Sequence, residues 1–219
     1  MQITQTIIQF PEISLATRDA HKLRGYFGDL FREHSPLLHN HFEDGRLRYA
    51  YPLVQYKVVD NVPVLVGFAE GAGLLTQLFL QIKEIKIGAE TFPVYSKNIS
   101  QKNHELSVNK GLYNYSFKTL WMGLNQKNFK IYLGLDESEQ KKFLDKTVQN
   151  NILSFYKGVG FRVQEQILIN GNYTEKQTLF KDKKMVAFSG RFSSNAFLPG
   201  LAGIGKAVSR GFGTVIQIP

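Results

Sequence analysis

Two histidines, His39 and His41, stand one residue apart in the run Pro36-Leu37-Leu38-His39-Asn40-His41-Phe42-Glu43-Asp44-Gly45. Imidazole both takes and gives a proton near neutral pH, so a close pair supplies an acid and a base together. Geometry decides whether the two can act on one group. On an extended segment residues two apart project to the same side, whereas on a helix they diverge by about 200°. Pro36 and Gly45 bracket the pair and favour an irregular or extended form. A second signature lies near the other end, in Gly203-Ile204-Gly205-Lys206-Ala207-Val208-Ser209-Arg210-Gly211-Phe212-Gly213. Gly203, Gly205, Gly211 and Gly213 let backbone approach a polyanion, and exposed amides with Lys206 and Arg210 supply positive charge. Imidazoles for proton transfer and a cradle for phosphates, in a basic protein, imply metal-free cleavage of RNA.

Other chemistries fit less well. Glu43 and Asp44 lie close to the histidines, but a metal site needs further ligands converging in space. The remaining histidines, His21, His34 and His104, form no ligand spacing. No metal and no cofactor are therefore expected. A dinucleotide fingerprint is excluded because no helix or acidic ribose ligand follows the glycines before Pro219. Arg46 and Arg48 alternate with Tyr49 and Tyr51, a mixture suited to phosphate contact and base stacking. The same alternation fits the edge of a sheet.

The elements that must position these residues are legible as periodicities. Gln2 to Phe10 is rich in Ile and Thr and reads as a strand. Leu23, Tyr26, Phe27, Leu30 and Phe31 mark one face of a helix that Thr17 caps and Pro36 stops. In Pro52 to Val59, Val54, Tyr56 and Val58 alternate with Gln55 and Lys57. Asp60-Asn61 turns the chain into Val62 to Glu70. Leu74, Leu75, Leu78, Phe79 and Ile82 then return to helical spacing, and strand-like sequence fills Lys83 to Val108. Strand–helix–strand–strand–helix–strand is the ferredoxin-like order.

A looser version follows. Tyr113 to Phe117 is a strand, and Phe143, Leu144, Val148, Ile152 and Phe155 place a helix after Asp136. Val163 to Ile169 and Tyr173 to Phe180 are predicted to meet in a hairpin at Asn170-Gly171. Lys184 to Phe192 and Phe212 to Ile218 complete the set. No second helix is evident unless Leu198 to Val208 contains a short one. The expected fold is α+β, two ferredoxin-like (RRM-like) domains in tandem, 1–105 and 106–219, with a C-terminal glycine-rich loop.

Bulk composition agrees with a polyanion partner. The 219 residues carry 27 basic and 18 acidic side chains, a net charge of +9, and 43% are hydrophobic, ample for packed cores. From Lys183 onward there are five Lys or Arg and no Asp or Glu. With no cysteine, disulfides, iron–sulfur clusters and thiolate zinc sites are excluded. The first residues lack the pattern of a signal peptide, and no apolar run reaches the roughly 20 residues that span a bilayer. A cytoplasmic protein without a membrane partner is expected.

His39-x-His41, then Leu47-x-Tyr49-x-Tyr51-Pro52-Leu53-Val54-Gln55-Tyr56-Lys57, and the terminal Gly-Ile-Gly-Lys…Ser-Arg-Gly-Phe-Gly together resemble the CRISPR-associated Cas6 endoribonucleases, the Cas6b branch in particular. The resemblance spans the chain in order and length. It implies metal-independent cutting within CRISPR repeats by 2′-hydroxyl attack, leaving a 2′,3′-cyclic phosphate and a 5′-hydroxyl. Carried onto this sequence, it makes His39 and His41 base and acid, in either order. It makes Tyr49 a supporting catalytic residue and Lys57 a candidate for stabilising charge on the phosphate. Lys206 and Arg210, with the surrounding glycines and Arg46 and Arg48, would bind RNA. The implied partner is CRISPR repeat RNA, with a CRISPR effector complex and a homodimer as open alternatives. The competing class is a non-catalytic RNA-binding subunit of such a complex, which has no need of two close imidazoles.

Overall fold

The structure is a computed structural model and describes residues 1–31, 51–180 and 183–219. It divides into two compact units, one of residues 2–105 with 208–211, the other of residue 1, 106–207 and 212–219. Among the described residues, no helix is long and apolar enough to cross a membrane.

The first unit begins with strand β1 (Gln2–Gln9), a 3-10 turn (Thr17–Asp19) and helix α1 (Ala20–Leu30). Strands β2 (Val54–Val59) and β3 (Val62–Phe68) follow, then helix α2 (Glu70–Leu78). A small hairpin, β4 (Glu84–Ile87) with β5 (Glu90–Pro93), precedes β6 (Asn98–Glu105). The sheet order is β2-β3-β1-β6 with every pairing antiparallel, the ferredoxin-like arrangement. Asp60 and Asn61 both take positive φ, 50° and 65°, as a two-residue hairpin turn demands. The helical spacing seen in the sequence becomes a core: Leu23 and Phe27 of α1 and Leu75 and Leu78 of α2 are buried against Ile8, Val54, Tyr56, Val58 and Leu65. Phe27 is its hub, its ring stacked on Phe10, Phe31 and Tyr56 at centroid distances of 6.2, 6.2 and 5.9 Å. The alternation in β2 reads as one dry and one wet face, but Gln55 and Lys57 are as buried as their apolar neighbours. Across the sheet they pair with Val66 and Val64, which are also buried, so both faces of β2 are dry.

The second unit runs β7 (Val108–Phe117), α3 (Gln126–Leu133), α4 (Glu137–Gly158), β8 (Ile169–Phe180), β9 (Lys183–Ala196) and β10 (Val215–Ile218). Its sheet order, β10-β7-β9-β8, repeats the first unit's topology. Asp136 starts α4 with a full capping box: its carboxylate accepts from Glu139 N–H at 2.9 Å, and Glu139 accepts from Asp136 N–H at 3.2 Å. Where a second helix would stand, residues 197–214 form the glycine-rich segment, with only a 3-10 turn (Val208–Arg210).

The predicted hairpin at Asn170-Gly171 is corrected. Both residues lie inside β8, which pairs with β9 without a break from Ile169↔Ser194 to Phe180↔Lys183. Gly171 is required there for space, because a Cβ would collide with the Tyr173 hydroxyl. That hydroxyl donates to Asp145 Oδ1 of α4 at 2.8 Å, and Gly171 N–H donates to the same oxygen at 2.9 Å. Lys141 Nζ reaches the other carboxylate oxygen at 2.8 Å. Asp145 therefore ties α4 to the start of β8. Replacing it with alanine strands the half-buried Tyr173 hydroxyl, and the loss of two hydrogen bonds to a charged acceptor should cost about 2–4 kcal/mol in urea unfolding. Lys141→Ala, which removes an exposed ion pair and an exposed hydrogen bond to Asn170 Oδ1 at 2.9 Å, should cost about 1 kcal/mol or less.

Candidate nucleic-acid interface

Five of the sequence-predicted residues, His39, His41, Arg46, Arg48 and Tyr49, lie outside the described residues. The elements that carry their segment are well defined. On one side Phe31 follows α1 and is buried against Phe27. On the other, Gln55 Nε2 donates to the Tyr51 hydroxyl at 2.5 Å and to Pro52 O at 3.2 Å. Leu53 is buried, and its carbonyl accepts from Phe68 N–H at 2.9 Å. Tyr56, three residues on, stacks on the same Phe27 ring. Phe31 before the histidine segment and Tyr56 after it thus meet on one ring, that of Phe27.

Lys57 sits in β2 with its side chain wholly buried. Loss of water around the ammonium lowers its pKa from the ordinary lysine value to about 7. Tyr56, on the opposite face, has its pKa raised by burial, with Arg24 of α1 pulling weakly the other way. The described histidines serve local structure: His104 Nε2 lies 2.9 Å from Gln5 Oε1, and His21 Nδ1 lies 2.6 Å from Arg18 O.

The glycine-rich segment is more than a turn between two strands. Gly203 bridges to Thr214, and Ile204 N–H donates to Gly213 O at 2.9 Å. Lys206 N–H donates to Met122 O at 2.9 Å, which fixes its backbone while the side chain stays exposed. Gly205, Gly211 and Gly213 take φ of 96°, 88° and 63°. The sequence groups Lys206 and Arg210 as one cradle, but the structure assigns them to different units. Lys206 folds with the second unit, whereas Val208–Gly211 folds with the first, packed on α1 and β2. Gly211 makes that packing possible: a Cβ there would stand 2.8 Å from Ala20 Cβ and 3.3 Å from Tyr56 O, at a φ that side chains disfavour. Arg210 is half-buried, and its pKa is lowered by desolvation and secondarily by Arg24. Arg24 has no sequence signature, since it is an ordinary arginine on an amphipathic helix.

Two family models cover the chain. One, described as the Cas6b N-terminal domain, matches residues 1–105, and one described as the Cas6b C-terminal domain matches residues 107–218. A solved structure described as a crystal structure of Cas6b superposes with a TM-score of 0.94 at 34% identity, covering 100% of both chains. A second, of a CRISPR RNA processing endoribonuclease Cas6b, gives 0.80 at 32% identity with the same coverage. An uncharacterized protein of Methanocaldococcus jannaschii is 33% identical over 143 residues, which are 65% of this chain and 97% of that protein.

The buried lysine has a consequence for stability. Its folded-state pKa of about 7 lies below the unfolded value of roughly 10.4, so between those limits the unfolded chain holds a proton that the folded chain sheds. Stability from this group therefore rises as pH goes from about 7 to about 10, and below pH 7 the full cost of a buried charge remains. Lys57→Met should unfold at higher urea than the parent at pH 6.5, by a difference with a ceiling on the order of 5 kcal/mol. That difference should shrink steadily towards pH 10. A difference independent of pH would show that Lys57 does not titrate in this window.

Proposed function

Because the chain belongs to the Cas6b family, we propose that it is a CRISPR RNA processing endoribonuclease that cuts within each repeat of the precursor transcript without a metal ion. The observation that carries the reading is the His39-x-His41 segment, held at Phe31 and at Tyr51–Leu53 on the same unit that presents Lys57 and Arg210. One imidazole takes the proton from the 2′-hydroxyl as O2′ attacks the adjacent phosphorus. The other gives a proton to O5′ as the P–O5′ bond breaks. The products are a 2′,3′-cyclic phosphate and a 5′-hydroxyl, and no water is consumed. Tyr49 supports the histidines. Lys57, wholly buried in β2, contributes through its charge and not through contact with the RNA. Lys206 and Arg210 hold the RNA.

The test is incubation with the repeat RNA of the host's own CRISPR array in EDTA, followed by analysis of the ends. Cleavage should persist and leave the two ends named above. His39→Ala and His41→Ala should each slow single-turnover cleavage by roughly 100-fold or more with little change in affinity. Binding without cleavage by the parent protein would assign it instead as an RNA-binding subunit.

Binding and chemistry separate at the glycine-rich segment. Each phosphate contact on single-stranded nucleic acid contributes about 0.7 to the slope of log affinity against log salt. Lys206→Ala combined with Arg210→Ala should flatten that slope by about 1.4. At saturating protein the cleavage rate should largely recover. An unchanged slope would reduce the segment to a structural connector.

A further inference from the structure

Strand register fixes which side chains share a face of the second unit's sheet. The face bearing Tyr115, Phe117 and Phe192 is buried. The opposite face carries two rows that run across the strands. One is Ile218, Asn114, Ser193 and Asn170, and the next is Ile216, Ser116, Arg191 and Asn172. Polar groups of the first row are already engaged. Ser193 Oγ donates to Asn114 Oδ1 at 2.7 Å, Asn114 Nδ2 donates to Pro219 O at 3.3 Å, and Asn170 Oδ1 accepts from Lys141 Nζ at 2.9 Å. The second row differs. Among the described residues, the side chains of Ser116, Arg191 and Asn172 have no hydrogen-bond or ion-pair partner. Arg191 and Asn172 are exposed, and two hollows of about 430 and 480 Å³, each large enough for part of a nucleotide, share Arg191 and Ile218 in their walls. Neither row contains Asp or Glu.

We propose that this face binds a single-stranded stretch of the repeat RNA, with Arg191 taking a phosphate and Ser116 and Asn172 bonding the nucleotide beside it. A guanidinium that no carboxylate neutralises attracts an anion, and its planar fork donates two parallel hydrogen bonds to phosphate oxygens. Residues directly opposed across a sheet lie about 5 Å apart at Cβ, so the three groups reach one nucleotide together. Hydroxyl, carboxamide and guanidinium are the side-chain groups that contact phosphate, sugar and base edges. Ile216 and Ile218 offer an apolar strip beside them. The two rows hold no aromatic ring, so recognition here works by hydrogen bonding and not by stacking. A protein partner would call for a large apolar anchor at the centre, where Arg191 stands instead. The proposal rests on the RNA-processing reading above and assigns that RNA a contact surface on the second unit.

The test measures affinity for the host's repeat RNA at several salt concentrations, together with melting temperature. It compares the parent, Arg191→Gln, Arg191→Lys and the pair Ser116→Ala with Asn172→Ala. Arg191→Gln should weaken binding roughly 10-fold and lower the salt slope by about 0.7, one phosphate contact. Arg191→Lys should keep the slope but recover only part of the affinity, because the fork is lost. The alanine pair should weaken binding roughly 5-fold at an unchanged slope, since neutral groups displace no counterions. Every variant should melt within about 2 °C of the parent, because surface substitutions of this kind disturb the fold little. Parent affinity and slope in Arg191→Gln would overturn the proposal. Parent affinity in the alanine pair would overturn it too, by reducing Arg191 to diffuse surface charge. Weaker binding by Arg191→Gln with an unchanged slope and a lowered melting temperature would do the same, by showing a structural role. A parent protein that fails to bind the repeat RNA would overturn the reading beneath it.

Discussion

The placement of the cationic residues depends on one close approach, that of the backbone at Gly211 to Ala20 and to the Tyr56 carbonyl. A side chain at 211 would lift the turn Val208–Arg210 away from α1 and β2, and Arg210 would move with it. The approach has a second effect, because the same point lies over Lys57, whose Cα would be 3.6 Å from a Cβ at 211. Part of what encloses β2 is therefore this turn. A short tripeptide packed by virtue of one glycine thus bears on both the position of a surface cation and the environment of a buried one. The flanking residues, up to 207 and from 212, fold with the other unit, so the glycine-rich segment serves two cores in succession.

Much of this architecture was legible in the sequence, for physical reasons that can be named. In the first unit each helix buries one stripe, so Leu23 and Phe27 or Leu75 and Leu78 recur at helical spacing and define the helices that cover the sheet. The Asp60-Asn61 turn is equally readable, since both residues tolerate positive φ. The long helix α4 is readable after Asp136 from the spacing of Leu144, Val148, Ile152 and Phe155, all of which are buried. Two features were misleading. Asn170-Gly171 carries the composition of a tight turn, yet the glycine is there to admit the Tyr173 hydroxyl beside Asp145. Local composition cannot distinguish a residue that must bend from one that must be small. The alternation in β2 misleads in another way. Period-two patterning shows which residues share a face, but it reports exposure only when one face is wet, and here Gln55 and Lys57 are enclosed as fully as Val54 and Tyr56.

The interface was legible as a motif but not as an arrangement. Glycines flanking Lys206 and Arg210 mark a segment that carries charge close to its backbone, and both cations do sit on it. The motif does not show that the two residues fold with different units, because that follows from long-range packing at Gly211. Arg24 is invisible to motif reading for the same reason. Nothing in the spacing of α1 distinguishes it from a solvated helix arginine, and that its charge bears on Arg210 follows only from the packing of a turn from the far end of the chain on α1.

The energetic pattern of the first unit is that of a protein holding charge where folding would not place it. Lys57 is enclosed at the cost of its ordinary pKa, and Arg210 is half-buried within the field of Arg24. The buried lysine opposes stability, and a neutral residue of similar size would relieve it. The opposing term is the Phe27 cluster, which packs α1, β1 and β2 through stacked rings and holds the backbone from which these cations project. The same ring cluster also holds Phe31, which precedes the segment bearing His39 and His41, and Tyr56, which follows it.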